Sequence, residues 1–64
     1  MIPVRFYWVT RNRDIILKIR ERFSITEGQT INGETYTHIR ESDWKDFLAL
    51  AVKGGFINIR QIKH

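Results

Sequence analysis

With 64 residues the chain has room for one hydrophobic core, since a domain of this size buries only about 60% of the surface its unfolded chain exposes. We therefore expect a single domain spanning residues 1–64. The lack of cysteine excludes disulfides, thiolate metal ligands and thiol nucleophiles, and the apolar runs are far too short for a membrane span. Eleven Lys and Arg against seven Asp and Glu give a net charge of +4, which favours polyanions or an acidic protein surface as partners.

Residues 3–9, PVRFYWV, join β-branched and aromatic side chains and predict a strand, with Pro3 at its tolerated first position. Alternation puts Val4, Phe6 and Trp8 on one face and Arg5, Tyr7 and Val9 on the other. Asn12 is a good helix N-cap and Asp14 suits the positive helix end, so a helix is expected from Arg13 to about Phe23. Ile15, Ile16, Ile19 and Phe23 form its core-facing stripe.

Asn32-Gly33 between β-type residues is the preferred two-residue turn of a hairpin, where both central residues need positive φ. That turn pairs Ile31 with Glu34, Gln29 with Tyr36 and Glu27 with His38, unless Gly28 marks a bulge. Thr26, Thr30, Thr35 and Thr37 make the hairpin polar, which predicts at least one wet face. Ser42 reads as the cap of a second helix, with Asp43 and Asp46 near its start and Gly54-Gly55 as its stop. Trp44, Phe47, Leu48 and Ala51 form its apolar face, and it is expected to be the more buried helix. The chain ends in FINIRQI, residues 56–62, whose alternation of Ile57 and Ile59 with Asn58 and Arg60 predicts a half-solvated strand.

The expected class is thus α+β, in a ferredoxin-like βαββαβ arrangement: a four-stranded antiparallel sheet with two helices on one face. Trp44, Phe47, Leu48, Ile15, Ile19, Phe6 and Ile57 are the expected core. If Phe6 and Trp8 face the helices, the open sheet face carries Arg5, Tyr7, Tyr36, His38, Asn58 and Arg60. Tyrosines that stack unpaired bases, beside cations that meet phosphates, suit a single-stranded nucleic acid. The layout resembles that of the RRM class of RNA-binding domains in placing aromatics on the first and third strands. It departs from that class in lacking the glycine-rich signature and in being much shorter.

Two lesser candidates lie on the first helix. Arg11, Asn12 and Arg13 surround its start, where free N–H groups favour an anion. Arg13, Leu17 and Arg20 share one stripe, a leucine rimmed by arginines that would make a small protein contact. Catalytic constellations are missing: His38 and the terminal His64 are the only histidines, and Ser42, Glu41, Asp43 and Asp46 are accounted for as helix-start residues. The reading is a basic binding module, not an enzyme, with no metal or cofactor, no membrane association and a cytoplasmic location. Its partner is a single-stranded nucleic acid. The alternative is a protein-binding regulator or inhibitor of the mobile-element type, docking through an exposed strand edge or the first helix onto an acidic partner.

Overall fold

The computed structural model describes residues 1–62. It contains strand β1 (Ile2–Trp8), helix α1 (Arg13–Phe23), strand β2 (Thr30–Ile31), strand β3 (Glu34–Ile39), helix α2 (Trp44–Val52) and strand β4 (Ile57–Ile62). The class is α+β, with four strands in one sheet ordered β2-β3-β1-β4. All neighbouring pairs are antiparallel. Among the described residues no helix is long and apolar enough to cross a membrane.

Local chemistry explains most boundaries. The Asn12 side chain accepts from the Asp14 and Ile15 amides at 3.0 and 3.4 Å, satisfying two of the helix donors that would otherwise lack partners. Helix α1 ends at Ser24, whose left-handed φ of 57° lets its N–H reach the Arg20 carbonyl. Asn32 and Gly33 have φ of 53° and 82°, as the tight hairpin turn requires. After α2, a Cβ at Gly54 would run into the Phe56 ring, so any other residue there would have to displace that ring from the tight turn into β4.

The core lies between one sheet face and both helices. Val4 and Phe6 of β1, Ile19 and Phe23 of α1, Ile25 just after that helix, Ile39 of β3, Phe47 of α2 and Ile57 of β4 form one buried cluster. Phe47 is its hub, with the rings of Phe6, Phe23 and Trp44 at 5.4, 5.4 and 5.7 Å. Arg22 ties the two helices at the surface by pairing with Asp43 and Asp46 at 3.3 and 3.0 Å.

Several expectations need correction. Strand β2 has two residues, because Glu27–Gln29 forms a 3-10 turn closed by reciprocal Thr26 and Gln29 side-chain contacts. Ile31 pairs with Glu34 as expected, but the pairs Gln29–Tyr36 and Glu27–His38 do not form. The polar hairpin does have one wet face, as expected, carrying the exposed Tyr36 and His38, while Thr35 and Thr37 are buried on the other. Their hydroxyls are satisfied internally: Thr35 accepts from the Trp8 indole at 2.9 Å and bonds Thr30 at 2.7 Å, while Thr37 accepts from Gln29 at 3.2 Å. Ser42 is not a helix cap, since it sits inside a second 3-10 turn, Glu41–Asp43, that leads into α2. Nor is α2 the more buried helix: it contributes Phe47 alone, against Ile19 and Phe23 from α1. Trp44, Leu48 and Ile15 are only partly buried.

Candidate functional site

Alternation along β1 decides what the open face carries. Phe6 is buried and meets Trp8 edge-to-face at 5.1 Å on the core side, so Arg5 and Tyr7 project the other way. On β3 the buried Thr35 and Thr37 send Glu34, Tyr36 and His38 outward. The register sets Tyr7 opposite Glu34, Arg5 opposite Tyr36 and Pro3 opposite His38.

Strand β4 completes the face through an irregularity. Phe6 pairs with Ile59 whereas Arg5 pairs with Gln61, so Arg60 is an extra residue in the ladder. Asn58 lies opposite Tyr7. The bulge brings the Arg60 guanidinium within 5.4 Å of the Tyr7 ring centroid. It also turns Gln61 to the same side as its partner Arg5, where plain alternation from Ile59 would have sent it to the core.

Glu34 organises the centre. One carboxylate oxygen accepts from the Tyr7 hydroxyl and the other from the Tyr36 hydroxyl at 2.8 Å, with Arg5 Nε 3.6 Å from the latter oxygen. The Arg5 guanidinium carbon is 6.0 Å from the Tyr36 ring centroid. Two tyrosine rings on adjacent strands are thus anchored at their hydroxyls and flanked by one guanidinium each. The two guanidiniums against one carboxylate leave the group net positive.

The hydrogen bond from Tyr7 holds Glu34 below the usual carboxylate range, helped by that from Tyr36 and by the charges of Arg5 and Arg60. The same bond to Glu34 holds the Tyr7 hydroxyl above its ordinary range. A carboxyl depressed in the folded state adds stability above its unfolded pKa, and this is lost as pH falls through the folded value. A phenol raised in the folded state adds stability below its unfolded pKa, lost as pH rises through the folded value. Glu34→Gln is therefore expected to melt below the parent protein at neutral pH and to converge with it in acid. Thermal melts at the two pH values check this, and a gap that widens in acid contradicts it.

All six residues expected on this face are there, four of them gathered at its centre and one toward each end. Arg5, Tyr7, Tyr36 and Arg60 surround Glu34. His38 stands toward the start of β1, where it shares a cavity of about 250 Å³ with Pro3, Arg5, Tyr36 and Gln61. Asn58 lies at the opposite end, beside Tyr7. Glu34 and Gln61 are functional candidates that the sequence reading missed. Glu34 shares the strand alternation of Tyr36 and His38 and was legible on that ground, whereas Gln61 depends on the bulge.

The other candidates are less concentrated. At Arg11, Asn12 and Arg13 two of the backbone donors are already taken, because Asn12 itself caps the Asp14 and Ile15 amides. In the stripe Arg13, Leu17 and Arg20, Arg13 and Leu17 are exposed. Arg20, however, turns to its own chain, donating to the Thr26 carbonyl at 2.8 Å and the Thr30 hydroxyl at 3.1 Å over the Trp8 ring. A further surface, unforeseen in the sequence, is an apolar groove between α2 and β4 bounded by Val9, Leu48, Val52, Ile59 and Ile62. His64 lies outside the described residues. No protein-family model matches this chain, and no curated protein or solved structure matches it significantly. The likeness to the RRM class thus rests on the placement of aromatics alone.

Proposed function

We propose that the protein is a binding module for single-stranded nucleic acid, held on the open face of its sheet, and not an enzyme. The observation that carries this reading is the anchored pair Tyr7 and Tyr36, outward on adjacent central strands with a guanidinium beside each ring. Stacking on such rings is tolerant of sequence, because every base has a π-face. Arg5, Arg60 and the overall charge of +4 supply the attraction to phosphates. Glu34, repelled by phosphate, keeps the strand's backbone to the margins of the platform and leaves its bases toward the rings.

A labelled single-stranded oligonucleotide titrated at two salt concentrations tests the reading. Affinity is expected to fall with salt by a slope of about −0.7 per phosphate contact. Arg5→Ala and Arg60→Ala are each expected to flatten that slope by about one such contact. Absence of binding at low salt would reject the proposal. A second reading, a protein-binding regulator, is favoured by the apolar groove between α2 and β4, where Val52 is 81% exposed. Such a partner would bind with a shallow salt dependence.

A further inference from the structure

Beside the tyrosine platform the open face is not flat. Pro3 is the shortest outward side chain of β1, and the taller Tyr36 and His38 on one side and Gln61 on the other leave a hollow above it. Gln61 reaches this rim only because the bulge at Arg60 turns it outward. At about 250 Å³ the hollow is smaller than the ~300–1,000 Å³ typical of drug-sized ligands, and its capacity is one ring system.

Resting on the reading above, we infer that this hollow holds one unpaired base of the bound strand, next to the bases on the platform. The Pro3 ring offers a flat apolar floor and Tyr36 an aromatic wall. His38 and Gln61 carry hydrogen-bonding groups with no partner among the described residues. Arg5 belongs to both places: it lines the hollow and pairs with Glu34, while its Nε is buried without a hydrogen bond. A planar base with polar edges meets all of these groups. An aliphatic side chain would strip water from His38 and Gln61 and give them nothing in return.

The test is an NMR titration of the isotope-labelled protein with a short single-stranded DNA at low salt. The amides of Val4, His38 and Gln61 are expected to shift together with those of Tyr7 and Tyr36. Gln61→Phe, which fills the hollow from an exposed position, is expected to weaken binding about tenfold, the loss of one stacked base. It should also abolish the His38 shift while keeping that of Tyr7. Shifts confined to Tyr7 and Tyr36 in the unsubstituted protein would overturn this inference and spare the platform. Shifts at neither place would overturn both.

Discussion

Truncating Phe47 to Ala is expected to unfold the protein. The side chain is fully buried and touches the rings of Phe6, Phe23 and Trp44, which come from a strand and both helices. Removing a buried phenylalanine costs about 3–5 kcal/mol, because the surroundings collapse only partly into the space. A core of this size rarely supplies more than about 3–5 kcal/mol in all. Loss of amide dispersion in the NMR spectrum of Phe47→Ala would meet the expectation. Val52→Ala, five residues past Phe47 and so well round to the exposed side of the same helix, is the control and should stay within about 0.5 kcal/mol of the parent. A cooperative native-like melt for Phe47→Ala would show that the three-ring contact is not the hub of the core.

Replacing Tyr7 and Tyr36 together with Ala is expected to leave the fold standing and to remove binding. Both rings project from the sheet away from the helices, and Tyr36 is 46% exposed, so no core cavity opens. Each lost stacking contact should cost about 1–3 kcal/mol of affinity, and two together should take a weak complex out of measurable range. The double Phe replacement separates stacking from hydrogen bonding. It keeps both rings while freeing Glu34, and binding should survive it. Fluorescence anisotropy with a labelled single strand, together with a melt of each variant, gives the comparison. Unchanged affinity in the double Ala variant would sink the platform assignment.

Much of this face could be read along the chain because period-two alternation needs few residues to anchor it. Phe6 and Trp8 commit Tyr7 to the other side, and alternation groups Tyr36 with His38, although only the burial of Thr35 and Thr37 decides that this group shares the face of Tyr7. The α+β class followed from the same turn and from two apolar helical stripes. The failures share a different cause, competition between local side-chain contacts and the ladder. Gln29 reaches back to the Thr26 amide at 2.7 Å, and that contact holds residues 27–29 in a turn where alternation alone continued the strand. Ser42 looked like a cap, but Asp43 and Asp46 are drawn to Arg22 on another helix, a pairing that only tertiary structure reveals. The bulge at Arg60 carries no glycine to announce it. Plain alternation from Ile59 would send Gln61 to the core side, although it stands on the rim of the hollow.

The two outermost strands have a bearing on how copies of this protein behave when crowded. Strand β2 is two residues long, and β4 is bent by its bulge with an arginine at the kink. Neither border presents a long straight row of free amide and carbonyl groups, the template from which sheet-to-sheet aggregation grows. A chain rich in aromatic and β-branched strands thereby gains protection from fibril-like association through its shape alone.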